Sequence, residues 1–266
     1  MMAEAPTAPS REQVALGHPS YVWRSGQDRR LDLIRRYVPL EGATVLDIGC
    51  GIGTYVRKLR DYSSDVYGID IDSARVRQGR TGTLAVAVSE SLPFADRAFD
   101  VVLLNEVIEH VRDDRETLRE ACRVVRPGGH VVVYAPNRLY PFETHGVYLG
   151  RRFVFGNMPL VNYLPDPLRR RLVPHARAYT TRGLRRLLDG LPAELVVHTQ
   201  VYPGFYNIAA RSRVLGGLLR NVFHRLEATP LRALGLSHFF VLRVCKSRGE
   251  RMVAPTEVFA PEDTRG

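Results

Sequence analysis

Apolar residues between positions 43 and 135 follow two alternating patterns, short continuous runs and helical repeats. The continuous runs predict buried strands near residues 43–48, 65–70, 84–88, 99–104 and 129–135. The repeats predict helices near residues 53–61, 73–79 and 114–124. Strands and helices that alternate through short connections are typical of an α/β fold with a doubly wound parallel sheet.

The segments on either side extend this pattern. A helix is predicted over residues 28–38, and Thr180 or Thr181 is placed to cap a helix that ends near residue 189. Further strands are predicted near residues 194–202 and 236–245. Between these two strands, apolar residues from 208 to 226 recur with helical period beside four arginines. A helix covering the sheet explains this stretch, and a basic amphipathic helix on an anionic membrane surface is the alternative.

Residues 137–178 interrupt the alternation with a stretch rich in proline, arginine and aromatic residues. A segment of this length between sheet elements usually works as a lid or binding loop, so we expect a cap over a substrate pocket. The composition divides the chain into a disordered tail (residues 1–17), one domain that contains the cap (18–246) and a flexible tail (247–266).

Composition and charge indicate which partners and which cellular compartment to expect. The 266-residue chain has a formal net charge of +10, and Lys58 and Lys246 are the only lysines among its 38 basic residues. The excess of arginine over lysine and the positive charge are explained by the arginine codons of a GC-rich genome. The alternative is that the protein binds an anionic partner. Three scattered cysteines favour a reducing compartment. No apolar run reaches the roughly 20 residues of a membrane span. We therefore expect a cytoplasmic protein, with peripheral contact at the inner membrane face as an alternative.

Three glycines in alternate positions follow the first predicted strand. Gly49, Gly51 and Gly53 come directly after Asp47, and their spacing differs from the G-x-G-x-x-G pattern that cradles a pyrophosphate. Asp70 stands at the end of the second predicted strand, where a carboxylate suits the two hydroxyls of a ribose. The pattern therefore predicts a nucleoside cofactor without a required diphosphate.

The segment Val45–Gly53 resembles the cofactor signature of class I S-adenosylmethionine (SAM)-dependent methyltransferases, and three further blocks fit the same family in the same order. These are Ser91–Asp100, Asn105–Val111 and Arg123–Gly129, and the subgroup resembled contains the ubiquinone and menaquinone methyltransferases. The resemblance implies a Rossmann-like sheet of seven strands with an antiparallel last strand, and a cap inserted between strands five and six. It also implies SAM as cofactor.

The resemblance assigns cofactor contacts to residues at the carboxyl ends of the strands. They are Asp47, Gly49, Gly51, Gly53, Asp70, Ile71, Ser89, Glu90 and Asn105. One position departs from the family. Relatives commonly place an Asp four residues before the Leu of Leu-Pro-Phe, and this chain has Val88 there. We therefore expect Ser89 and Glu90, or main-chain groups alone, to recognise the adenine.

Glu106, Glu109 and His110 form an E-x-x-E-H pattern whose spacing places all three on one face of a helical turn. Two carboxylates and an imidazole there predict a site for Mg²⁺ or another divalent ion, with His145 of the cap as a further ligand. The family resemblance supports the same site, because related O-methyltransferases use such a metal to bind acceptor hydroxyls. The alternatives are a structural role for these residues or, without metal, His110 as general base. His145 and His175 are second choices for that base.

The combined expectation is a SAM-dependent methyltransferase that O-methylates a small or lipid-like acceptor, such as a quinone precursor, a glycolipid or a secondary metabolite. We also expect His110, Glu106 and Glu109 to be catalytic. An RNA 2′-O-methyltransferase is one rival, although no aromatic residues interleave the basic ones as base stacking requires. A non-catalytic SAM-binding partner subunit is the other. The acceptor, the methylated atom and the oligomeric state do not follow from the sequence.

Overall fold

The computed structural model describes residues 25–245. Its strands, in chain order, are β1 (Val45–Ile48), β2 (Val66–Asp70), β3 (Leu84–Val86), β4 (Phe99–Asn105), β5 (Val125–Pro136), β6 (Phe142–Glu143), β7 (Val147–Leu149), β8 (Arg152–Val154), β9 (Met158–Pro159), β10 (Ala193–Val201) and β11 (Ser237–Val244). Its helices are α1 (Ser25–Arg35), α2 (Thr54–Leu59), α3 (Ser73–Gly79), α4 (Asp114–Val124), α5 (Asp166–Leu172), α6 (Thr181–Leu188), α7 (Tyr206–Arg211) and α8 (Arg213–Leu226). Short 3-10 turns occur at Val161–Tyr163 and Pro230–Leu234.

Seven of these strands form the central sheet, in the order β10-β11-β5-β4-β1-β2-β3. Strand β1 lies between β2 and β4, and all pairings from β3 to β5 are parallel. Strand β11 enters between β5 and β10 and runs antiparallel to both. The predicted seven-stranded, doubly wound sheet with an antiparallel last strand is therefore confirmed.

The two faces of the sheet bury different residues because successive side chains point to opposite sides. Leu46 and Val102 pack on one face with Leu118 of α4. Val45 and Val101 pack on the other face with helices α1 and α2. Strands buried on both faces read as continuous apolar runs, which is why the sequence pattern located them.

Strands β6 to β9 and helix α5 belong to the segment between β5 and β10, the fifth and sixth strands of the central sheet. Within this cap, β6 pairs with β9 and β7 pairs with β8, in both cases antiparallel. The segment is therefore a small structured insertion at the position predicted for it. Val147, Val173 and Ala176 form a separate small core within it.

Some predicted elements differ in detail. The helical stretch 208–226 is two helices, because Ser212 leaves the helical conformation and its hydroxyl caps α8 by accepting from the Leu215 amide. Strand β5 begins at Val125, before the predicted residue 129, and its pairing with β4 breaks after Val125 and resumes at His130. The predicted tails, residues 1–17 and 247–266, lie outside the described residues. No helix within residues 25–245 is both long and apolar enough to cross a membrane.

Candidate active site

The glycine turn connects β1 to α2 at the carboxyl edge of the sheet. Gly49, Gly51 and Gly53 have φ values of 71°, 56° and 75°, a region where a side chain costs free energy. A Cβ built on Gly49 would lie 2.5 Å from Cγ2 of Val107, whereas one on Gly51 would meet nothing within 4 Å. The turn is thus packed on one side by the loop that follows β4 and open around Gly51.

Asp70 fastens the glycine turn to the end of β2. Its Oδ2 accepts a hydrogen bond of 2.7 Å from the Gly51 amide, and its Oδ1 accepts one of 2.8 Å from the Asp72 amide. Asp47 is buried nearby, and burial, with a further contribution from Asp70, raises the pKa of its carboxyl well above the ordinary value. Ile71, the next residue after Asp70, is exposed. These positions match the predicted cofactor rim, and their contacts with a cofactor stay a prediction.

Ser89 and Glu90 have partners inside the protein. The hydroxyls of Ser89 and Thr117 lie 3.0 Å apart, and Glu90 Oε1 accepts from the Arg112 amide at 2.9 Å. Both side chains therefore connect the loop after β3 to the start of α4. Adenine recognition by Ser89 or Glu90 stays a prediction, and Val88 beside them is exposed.

Glu106 is bound by residues outside the E-x-x-E-H pattern. Its φ of 57° turns the chain out of a helical path, so Glu106, Glu109 and His110 do not share a helix face. Arg30 of α1 donates to Glu106 Oε1 at 2.7 Å, and the Ser237 hydroxyl donates to the same oxygen at 2.6 Å. Arg30 also donates to Asn105 Oδ1 at 2.6 Å. The predicted helical face is therefore corrected, and Glu106 is the ion-pair partner of Arg30 in this structure. Its role as a metal ligand stays a prediction.

Glu109, His110 and His145 do come together. One potential ligand atom from each of the three lies within 4.8 Å of the others. Glu109 Oε1 is 3.9 Å from His110 Nε2 and 3.8 Å from His145 Nε2, and neither carboxylate oxygen has a hydrogen-bond partner within the described chain. Glu109 is only 2% exposed. A buried carboxylate without a partner is costly, and it therefore points to a ligand.

Hydrogen bonds on the far side of each ring orient the two histidines. His110 Nδ1 lies 3.0 Å from the His175 carbonyl oxygen, which can only accept, so Nδ1 carries the proton. His145 Nδ1 lies 2.8 Å from Glu143 Oε1, and Arg169 donates to Glu143 Oε2 at 2.6 Å. Both Nε2 atoms are thereby left to face Glu109. This arrangement, in which a carboxylate or carbonyl fixes the ring, is usual for histidines that bind metals.

The electrostatics of the cluster follow from burial. Burial raises the pKa of Glu109 to about 7, against the opposing effect of His145. Burial, together with the charge of His145, lowers the pKa of His110 to about 4. Burial also opposes protonation of His145, but Glu109 and Glu143 outweigh it and raise its pKa to about 10. At neutral pH, His110 is therefore a neutral imidazole with an available lone pair.

The three side chains fit a divalent cation on this evidence. Their donor set consists of two imidazole nitrogens and one carboxylate, which favours Zn²⁺, Mn²⁺ or Fe²⁺ over Mg²⁺. Glu109 and His110 come from the loop after β4, whereas His145 comes from the cap. The candidate site therefore lies where the sheet and the cap meet.

The sequence analysis did not identify two residues that support the candidate site, Glu143 and Arg30. Glu143 stands two residues before His145, and an acid beside a candidate histidine ligand is a signal that the sequence does contain. Arg30 carries no such signal, because its partners Asn105 and Glu106 lie 75 and 76 residues further along the chain.

Comparisons with known proteins agree with this fold. Residues 46–133 match the family described as methyltransferase domain. The ubiquinone biosynthesis O-methyltransferase of Methylobacterium nodulans is 35% identical over 133 residues, which are 47% of this chain and 53% of that protein. The 2-methyl-6-phytyl-1,4-hydroquinone methyltransferase of Synechocystis sp. is 41% identical over 100 residues, which are 35% of this chain and 31% of that protein. The chain thus spans about half the length of the first relative and less of the second.

A solved structure shows the same fold. The SAM-dependent methyltransferase of Mesorhizobium loti superimposes with a TM-score of 0.56 at 19% identity, covering 82% of this chain and 99% of that one. The sheet order and this likeness define a Rossmann-like methyltransferase fold of class I. With the family match over residues 46–133, the chain is similar to SAM-dependent methyltransferases in sequence over that segment and in fold over most of its length, and this similarity supports S-adenosylmethionine as cofactor.

Proposed function

We propose that this protein transfers the methyl group of SAM to a phenolic hydroxyl of a quinone-type, lipid-like acceptor, at a divalent-metal site formed by Glu109, His110 and His145. The names of the relatives support the substrate class, since they include ubiquinone O-methyltransferases and a hydroquinone methyltransferase. The metal site rests on this chain's own geometry.

The observation that carries the proposal is the Glu109 carboxylate, which is buried without a hydrogen-bond partner in the described chain and faced by two imidazole Nε2 atoms. Val107, in the same loop, packs against the glycine turn at Gly49. The loop therefore links the proposed metal ligands to the proposed methyl donor within a few residues. Such proximity is what an in-line transfer between two bound molecules requires.

Different residues of the chain would bind the cofactor, bind the cation and orient its ligands. Asp70 and the glycine turn would hold the ribose and the methionine part of SAM, and Glu109, His110 and His145 would hold the cation. A bound divalent cation lowers the pKa of a hydroxyl that contacts it. Glu143 and the His175 carbonyl keep the imidazoles aimed at the site. SAM held by the glycine turn would supply the methyl group: a C–O bond to the acceptor would form as the C–S bond breaks, and the hydroxyl proton would leave to water.

A metal-free mechanism is the second candidate. Burial raises the pKa of Glu109 to about 7, which suits a general base at neutral pH. Glu109 would then take the hydroxyl proton itself. His110 is the weaker base, because burial lowers its pKa to about 4.

The deciding experiment incubates the full chain with SAM carrying a labelled methyl group and a 1,2-dihydroxybenzene that bears a short prenyl chain. A chelator is added, followed by Zn²⁺, Mn²⁺ or Mg²⁺. Loss of transfer with the chelator and recovery with one of the metals would support the metal mechanism, whereas transfer that is insensitive to the chelator would support Glu109 as the base.

A fractionated cell extract replaces the model acceptor in the parallel test of substrate class. Label in organic-soluble material supports the proposal, and label in RNA contradicts it. SAM binding without transfer to any fraction favours the non-catalytic alternative.

The variant Glu109→Gln should remove transfer under both mechanisms while leaving SAM binding intact. Glu120→Gln is the matched control, because Glu120 is a buried carboxylate outside the site, bound to Arg123 at 2.6 Å.

A further inference from the structure

Helix α8 lies in the connection between β10 and β11 and has two apolar faces. One face packs on the protein. A Cβ on Gly216 would lie 2.4 Å from the Ala209 Cα of α7, and the centroid of the Phe223 ring lies 5.0 Å from those of both Tyr202 and Phe205. The inner face therefore packs on α7 and on the segment that follows β10.

The opposite face is apolar as well, and it is open. Val214 is 83% exposed, Leu218 59%, Leu215 48% and Val222 45%. At 100° per residue these four positions fall within one arc of about 100° along the helix. We call them the outer face of α8. Single exposed apolar residues are common, but four on one helix face without a partner in the described chain mark a contact surface.

The segment that carries the outer face is basic in sequence, and one of its arginines lies on that face. Between Tyr202 and Leu236 the chain carries five arginines and one acid, Glu227. That acid is already paired with Arg29 and also accepts from the Tyr202 amide. Arg225 projects from the same side of α8 as the outer face by helical spacing, and it is exposed. The complementary partner is therefore apolar and anionic at once.

We propose that the outer face of α8 binds an anionic lipid bilayer, with the helix lying parallel to the membrane surface. Fourteen residues give a helix of about 21 Å, which is shorter than a bilayer span and long enough for interfacial binding. Apolar side chains enter the acyl boundary while arginines reach the lipid phosphates. A second copy of the chain fits less well, because a symmetric contact would bury Arg225 of each copy in the interface without an acidic partner on the outer face.

Co-sedimentation of the full chain with vesicles tests this. One set of vesicles is phosphatidylcholine, and the other contains roughly one third phosphatidylglycerol. We expect binding to the anionic vesicles that weakens with salt, and at least tenfold weaker binding to the neutral ones. The variant Val214→Ser with Leu218→Ser should lower the affinity for anionic vesicles at least roughly tenfold. The matched control is Leu195→Ser with Val196→Ser, two exposed positions on β10, which should leave it unchanged.

The charge contribution is tested separately. Arg225→Gln should lower affinity about fivefold, and Arg36→Gln, at an exposed arginine far from α8 in sequence, should not. Absence of binding to anionic vesicles, or equal binding by the Val214→Ser, Leu218→Ser variant, would overturn the proposal. So would a wild-type dimer in sedimentation equilibrium that this variant converts to monomer. Thermal melts confirm that each variant folds, and no readout depends on the proposed methyl transfer.

Discussion

Val107 occupies the space that a side chain at Gly49 would need, with 2.5 Å between a Cβ built on Gly49 and Cγ2 of Val107. The glycine turn and the loop that carries Glu109 and His110 are therefore in direct contact. The proposed cofactor turn and the candidate metal cluster are therefore neighbours through Val107.

Gly49→Ala should weaken SAM binding at least roughly tenfold, because the methyl group must displace Val107 and the residue has a φ of 71°. Isothermal titration with SAM measures this. The matched control is Gly42→Ala, where φ is 67° but no atom lies within 4 Å of the added Cβ. Adding Val107→Ala to Gly49→Ala should restore part of the affinity. If Val107→Ala restores no affinity, steric contact with Val107 is not the cause of the weaker SAM binding.

Asp70→Asn should weaken SAM binding by about 10- to 100-fold. The charged carboxylate holds the amides of Gly51 and Asp72, and each such bond contributes about 1.5–3 kcal/mol. The same titration applies, with Asp65→Asn, an exposed aspartate just before β2, as control. If Asp70→Asn binds SAM with unchanged affinity, Asp70 does not contribute to cofactor binding.

Glu143→Gln should lower the affinity of the cluster for Zn²⁺ or Mn²⁺ about 10- to 100-fold without removing a ligand, since Glu143 orients His145 through Nδ1. Metal titration of the full chain measures this effect. Glu120→Gln also breaks a buried carboxylate–arginine pair, with Arg123, and should leave metal affinity unchanged. Equal loss in both variants would mean that the effect is general destabilisation.

Acid should destabilise the fold partly through His198. Its Nε2 lies 3.0 Å from His238 Nδ1, and burial, helped by the charge of His238, lowers the pKa of His198 to about 4. Below pH 6.5 the unfolded chain takes up a proton at His198 that the folded chain refuses until about pH 4. The contribution to stability is therefore constant above pH 6.5 and falls between pH 6.5 and 4. Urea midpoints at pH 7.5 and 5 should differ less in His198→Gln than in the wild type.

The seven-strand count and the antiparallel last strand were expected from the family resemblance. Local pattern was sufficient to predict the alternating strands and helices, because a strand buried on both faces is a continuous apolar run. It was also sufficient to nominate Glu109, His110 and His145. It failed at Glu106, where i, i+3 and i+4 spacing presupposes a helix. The left-handed turn there is stabilised by Arg30 and Ser237, which are 76 and 131 residues away in the chain. The spacing of residues near Glu106 cannot predict contacts with partners so far away in the chain.

Strand β11 lies between β5 and β10, although it follows both in the sequence. Strand β5 therefore has one unpaired edge until residues 237–244 have been synthesised, about a hundred residues after β5 itself. The cap and the α7–α8 connection emerge from the ribosome during that interval. A newly made chain thus passes through a stage in which an open, apolar strand edge is accessible, and prompt insertion of β11 is what protects it from pairing with another chain.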